Sequence, residues 1–329
     1  MANSILTREN IKKHRLRHQQ MIQISAVICT FNRAGYLKKA IQSLINQTLP
    51  DKQYEIIVVD NHSTDNTKEI VQNFRKFNNL KYIYEPVKGL SQARNTGWQN
   101  AHGKYVAYLD DDAIACSEWL ERIVRVFETI SPQPGSVGGK ITLIWENERP
   151  EWMSKNMETC LGFFNLSNKP KFLKDDREGL RGGNVTYPRE LLRRFGGFST
   201  KLGRKGNNLL SNDEIYLNRC LEKNKLLGYY DPDICVQHHV PVERLVENWF
   251  YNRYFWQGVS SVVLSHIEKP KKRIYYLLIG FINACYFVLN PRNLLALIDN
   301  SRVYAMCKVK ERLGRIWMLF RLGLGKENV

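Results

Sequence analysis

Three apolar, β-branched runs, each stopped by a polar cluster, constrain this chain more than any other feature. Ile22 to Ile28 runs into T-F-N-R-A-G-Y, Tyr54 to Asp60 into N-H-S-T-D-N-T, and Tyr105 to Leu109 into three aspartates. Such runs, bounded by turn-forming residues, read as buried strands. Helical spacing follows the first two, as in Ile70, Val71, Phe74 and Phe77. Tyr82 to Tyr84 gives a further short strand, and Leu90 to Asn100 a helix. The alternation predicts a mostly parallel α/β sheet with helices on both faces. Ligands in such sheets bind beyond the carboxyl ends of the strands, so the three polar clusters are expected in one crevice.

Charge narrows the partners. Lys and Arg number 49 against 32 Asp and Glu, a formal net charge of +17, which favours nucleotides, acidic lipids or nucleic acid. Nucleic acid is set aside because no helix-turn-helix, zinc-finger or RNP-like signature is present. The seven cysteines are scattered and form no C-x-x-C pair, which argues against a disulfide framework or structural zinc. The segment Arg8 to Arg17 is basic without the apolar stretch of a secretory signal. A cytoplasmic active site is the expectation.

Asp110, Asp111 and Asp112 close a strand, where three carboxylates crowd unfavourably unless a divalent cation or strong donors neutralise them. The competing reading is an acidic turn with Asp112 capping the next helix. Asp60 is placed to accept hydrogen bonds from a base or ribose, as strand-end acids do in nucleotide folds. Arg94 and Asn95 are candidates for a phosphate contact, against the plainer reading of a solvated helix face.

The ordered set T-F-N-R, V-V-D-N-x-S-x-D, G-x-x-x-A-R-N-x-G and Y-L-D-D-D resembles the family 2 glycosyltransferases over roughly the first two-thirds of the chain. The resemblance implies a GT-A nucleotide-diphosphate-sugar transferase fold with a C-terminal helical extension. It further implies donor contacts from Thr30, Asn32, Arg33, Asp60, Asn61, Arg94, Asn95, Asp110 and Asp111. A divalent metal, Mn²⁺ or Mg²⁺, is implied at Asp110 and Asp112. One departure is Ala113, where many relatives carry a further aspartate.

The second half extends the match. R-G-G-N-V-T-Y-P resembles the segment beneath the acceptor, which implies acceptor contacts from Gly183 and Asn184. The loop L-G-R-K-G-N-N leads to paired acids that usually read Glu-Asp and here read Asp213-Glu214. By register Glu214 takes the general-base position, with Asp213 as competitor. His238 matches the family position that supplies a metal or diphosphate contact.

The implied organisation is a basic segment at 1–20, a donor half at 21–130, an acceptor and base half at 131–243, and a basic, aromatic, helical extension at 244–329. V-P-V-E-R-L-V-E-N-W-F-Y and R-P-E-W resemble bacterial glycosyltransferases of polysaccharide assembly, including the cyanobacterial hormogonium-polysaccharide group. In the extension, K-P-K-K-R precedes Ile274 to Leu289, which is shorter than the roughly 20 residues that span a bilayer, so an interfacial or buried helix is expected. Lys308 to Lys326 mixes basic with apolar residues and is expected to lie on anionic lipid at the inner face of the membrane, the alternative being a helical hairpin packed on the enzyme with its basic face in water.

The implied reaction is inverting transfer from a nucleotide sugar, UDP-linked by expectation, to a hydroxyl of a saccharide or lipid-linked acceptor. The alternatives are a catalytically silent sugar-binding relative and a sugar-phosphate nucleotidyltransferase. The latter normally shows a glycine-rich phosphate loop that T-F-N-R-A-G-Y does not supply.

Overall fold

A computed structural model describes residues 22–174, 178–206, 208–290 and 303–326. The basic segment before Met21 lies outside the described residues.

Strand β1 (Ile24–Thr30) is almost wholly buried, and it pairs in parallel with β2 (Tyr54–Asp60) and β4 (Tyr105–Asp110). Strand β3 (Leu80–Tyr84) extends this parallel half beyond β2. Apolar side chains on both faces explain the unbroken burial of β2, because helices cover each side. These helices are α1 (Ala34–Ile45), α2 (Thr67–Gln72), α3 (Leu90–Gln99) and α4 (Trp119–Thr129). In α4, Leu120, Ile123, Val124 and Phe127 recur at helical spacing and all are buried.

The register decides where the polar clusters meet. Thr30 pairs with Asp60, and Cys29 with Asp110, so three strands end at one level. Beyond β4 the sheet continues through β8 (Asn184–Pro188), β6 (Ser136–Trp145), β9 (Gly228–Val240) and the short β5 (Ala113–Ala115). Strand β7 (Lys171–Phe172) pairs with the edge of β9. The β4–β8 and β6–β8 pairs are antiparallel, and β6–β9 is parallel. The antiparallel pair β5–β9 sets Ala113 opposite His238, which carries that histidine to the aspartates.

Helix α5 (Arg189–Phe195) follows β8, and α6 (Asp213–Lys223) precedes β9. The extension forms α7 (Glu247–Glu268), α8 (Arg273–Leu289) and α9 (Val303–Gly323). Here the structure corrects the expectation for Lys308 to Lys326. Met306, Cys307, Val309, Met318, Leu319 and Leu322 are buried, so the apolar face of α9 belongs to the protein's own core. The two long helices touch backbone to backbone: a Cβ on Gly258 would overlap the Glu311 carbonyl, and one on Gly314 the Phe255 carbonyl. Phe250 and Tyr254 are likewise buried, with Met157, Leu161 and Cys307, so the aromatic run serves packing. No helix among the described residues is long and apolar enough to cross a membrane.

Candidate active site

The strand ends open onto a cavity of about 710 Å³ that the loop before α6 and the extension complete. Thr30, Arg33, Asn61, Arg94, the three aspartates, Gly183, Asp213, Glu214 and His238 line it. Asn32, Asp60, Asn95 and Asn184 do not.

The aspartates have three different environments. Asp112 is the hub: its carboxylate meets Arg33 Nη1 at 2.6 Å, His238 Nε2 at 3.1 Å and Arg244 Nη2 at 3.4 Å. Burial alone would raise its pKa, but His238, Arg33 and Arg244 overcome that and hold it well below the usual carboxylate range. Asp111 shares Arg33 at 3.1 Å. Burial outweighs the arginine there and, with the like charge of Asp112, pushes the Asp111 carboxyl up to about 6. Asp110 keeps 36% of its side chain exposed and, among the described residues, pairs only with Arg94 Nη2 at 3.7 Å.

Asp110, Asp112 and His238 offer ligand atoms within 4.8 Å of one another. Two carboxylate oxygens and an imidazole would suit Mn²⁺ better than Mg²⁺, which prefers oxygen donors alone, and Asp110 is open to the cavity. The donor set therefore fits a divalent cation.

Arg94, with only 6% of its side chain exposed, bridges the two ends of the site. Its Nη1 is 2.7 Å from Asp213 Oδ2, and its Nη2 faces Asp110. The R-G-G-N segment leaves room for this bridge. A Cβ on Gly182 would come within 2.6 Å of Arg94 Nη2, and one on Gly183 would overlap Asp110 Oδ2. The glycines thus serve the charged network directly.

Asn212 adopts the left-handed region at φ 73°, a conformation Asn tolerates, and its side chain accepts from Gln257 Nε2 at 3.1 Å. Ser211 donates to Gln257 Oε1 at 3.1 Å. Helix α7 thereby anchors the turn that sets Asp213 and Glu214 at the start of α6. Burial, and then the Asp213 charge, push the Glu214 carboxyl up to about 7 against the pull of Arg94.

The residues off the cavity have other partners. Asp60 accepts from the Ser63 amide at 2.9 Å and from Tyr82 Oη at 2.7 Å. Asn32 accepts from the Thr64 amide at 2.7 Å, tying the first polar loop to the second. Asn95 holds the Phe198 backbone through bonds of 2.8 Å in both directions. Asn184 is buried, accepts from Trp119 Nε1 at 2.9 Å and donates to the Ile234 carbonyl at 2.9 Å. Both asparagines brace elements around the site.

Sequence reasoning missed Arg244, Gln257 and Arg204. Arg204 lines the cavity and has no carboxylate partner among the described residues. Arg244 follows His238 closely in a short turn, a signal that could have found it. Nothing local marks Gln257, whose role depends on how α7 docks.

Residues 25–196, about half the chain, match the sequence pattern described as "Glycosyl transferase family 2". The chain belongs to glycosyl transferase family 2. A curated relative is the glucosyl-dolichyl phosphate glucuronosyltransferase of Haloferax volcanii. It is 24% identical over 250 residues, covering 74% of this chain and 77% of the relative. Against other curated relatives the match is shorter, down to 14% of their length. Among solved structures, the mannosyltransferase PcManGT of Pyrobaculum calidifontis, in complex with GDP-Man and Mn²⁺, superposes with a TM-score of 0.57. Identity is 17%, and coverage 90% of this chain and 88% of that one. TarS 1-349 of S. aureus, in complex with UDP, gives 0.52 at 16% identity, covering 92% of each chain. This family member has the GT-A fold, a mixed, mostly parallel sheet with a C-terminal helical region.

Proposed function

We propose that this family 2 member transfers a sugar from a nucleotide-diphosphate sugar to an acceptor hydroxyl with inversion, Glu214 acting as general base. One observation carries the reading. Of two consecutive acids at the cavity, Asp213 is held by Arg94 at 2.7 Å, whereas the Glu214 carboxyl is raised to about 7, where a base gains a proton readily at neutral pH.

In the single displacement, the acceptor oxygen attacks the anomeric carbon as its proton passes to Glu214. The anomeric C–O bond breaks, and the diphosphate leaves with the electron pair. Asp110, Asp112 and His238 would hold the divalent cation, which supplies charge neutralisation for the diphosphate when bound. Arg94 is engaged with Asp213 and Asp110, so its part is to position the acids. Arg204, which lines the cavity, is the cation proposed to meet the leaving group.

The donor is assigned to 21–130 and the acceptor to 131–243. Solved neighbours bind UDP and GDP-Man, and UDP is retained as the proposed carrier. The dolichyl phosphate relative supports a lipid-linked saccharide as the acceptor class, and the cytoplasmic face of a membrane is the proposed place of reaction. The test is release of nucleoside diphosphate from a panel of nucleotide sugars in Mn²⁺, with and without polyprenyl-phosphate saccharides. Release stimulated by acceptor supports transfer. Nucleotide-sugar binding without any release would leave a binder and sink the catalytic reading.

A further inference from the structure

Helix α8 has two unlike faces. Toward the body, Tyr276 is buried, and Gly280 rests on Leu319 and Phe320 of α9. Away from it, Ile274, Leu278, Phe281, Ile282, Tyr286 and Leu289 are between 57% and 80% exposed. Eight of the sixteen large apolar side chains exposed among the described residues lie on this one helix. Their spacing of three, four and eight residues draws them into one stripe, on a helix about 25 Å long. An apolar stripe this continuous marks a surface that something covers.

The charges select the occupant. Lys269, Lys271, Lys272 and Arg273 lead into α8 and are all exposed, while residues 273–289 contain no Asp or Glu. A cationic collar beside a stripe of Phe, Ile, Leu and Tyr, too short to span, matches an anionic bilayer surface. The apolar side chains enter the acyl boundary and the lysines meet the headgroups. A second copy fits less well, because a chain of formal charge +17 repels its own basic collars.

We infer that α8 is the membrane-docking element of this protein, seated on the surface of an anionic bilayer. The inference agrees with the lipid-linked acceptor proposed above, but its observations are independent of catalysis. Composition had offered both K-P-K-K-R with its helix and the helix after Lys308 for a lipid contact, and the exposed stripe assigns it to α8 alone.

The test uses the full chain with vesicles of phosphatidylglycerol mixed with phosphatidylcholine, and vesicles of phosphatidylcholine alone. Sedimentation with the anionic vesicles is expected to exceed that with the neutral ones at least tenfold. K271Q/K272Q should weaken it about thirtyfold, and F281S/I282S at least about tenfold. Because all four side chains are exposed, the melting temperature should stay within a degree or two of the parent. Absence of sedimentation, or equal binding to both vesicles, would overturn the inference. So would a concentration-dependent dimer in sedimentation velocity that F281S/I282S dissolves, which returns the stripe to a second copy. Vesicle binding is read without substrate, so a failed transferase assay leaves this result intact.

Discussion

Arg94 Nη1 lies 2.7 Å from Asp213 Oδ2, and the neighbouring Glu214 has no such ion pair among the described residues. Two consecutive carboxyls therefore differ: one pairs with an arginine, and the other is the proposed proton acceptor. Glu214→Gln should lower kcat on the order of a hundredfold or more while donor affinity is kept. Asp213→Asn removes the partner of a buried guanidinium and should cost about 3–5 kcal/mol of stability. Steady-state kinetics beside chemical denaturation separates the two. A larger kcat loss from Asp213→Asn, with stability retained, would make Asp213 the base.

The raised Glu214 carboxyl fixes a pH dependence. The base works ionised, so kcat/KM should fall about tenfold per unit as pH drops below about 7. Stability moves the other way. The folded pKa of about 7 exceeds the ordinary 4.5, so this group's stabilising contribution is full below 4.5 and is lost as pH rises through 7. Metal-free Glu214→Gln should therefore gain in melting temperature over the parent from pH 5 to pH 8, as read by calorimetry. A constant difference would contradict the shift.

Asp110 and Asp112 should respond differently to amidation although both belong to the proposed metal set. Asp112→Asn takes the buried carboxylate from Arg244, while Arg33 keeps Asp111, and should cost about 3–5 kcal/mol. Asp110→Asn loses only a partly exposed pair at 3.7 Å, for under about 1 kcal/mol. Titration calorimetry with UDP-sugars should show Mn²⁺-dependent affinity weakened in both. Unchanged affinity in Asp110→Asn would remove Asp110 from the metal site.

Gly183→Ala should displace the Asp110 carboxylate, because the added Cβ overlaps Oδ2. A tenfold to hundredfold loss of Mn²⁺-dependent donor affinity is expected, the range for disturbing the support of a metal ligand. Gly35→Ala, with nothing within 4 Å, is the control and should leave affinity unchanged.

Gly314→Leu tests whether α9 is core. Its side chain would drive into the Phe255 carbonyl across the α7–α9 crossing, costing about 3 kcal/mol or more in denaturant unfolding. A variant as stable as the parent would mean that α9 does not pack as described.

The parallel half and its three polar strand ends were legible because apolar periodicity and turn chemistry are local, and a parallel register carries them to one edge. Family 2 motifs also gave the acids at 110–112 and 213–214 as candidates before any fold was known. Other assignments could not be read so. Asn95 and Asn184 carry the right chemistry at motif positions, yet their amides bind Phe198 and Trp119, which lie far away in sequence.

The sequence by itself determined the alternating strands and helices of the donor half, the glycosyltransferase family and the residue types of the site, all of which follow from short-range pattern. Only tertiary structure decided how those residues divide their work. Arg94 is claimed by Asp213, Asp112 gathers Arg33, Arg244 and His238, and α7 anchors the turn beneath Glu214. It also decided which basic helix faces outward. Helices α8 and α9 are both apolar with cations, but α9 meets the glycine-lined crossing with α7 and is buried, leaving α8 with its stripe exposed. Composition is blind to that difference, because burial depends on which face a distant helix covers.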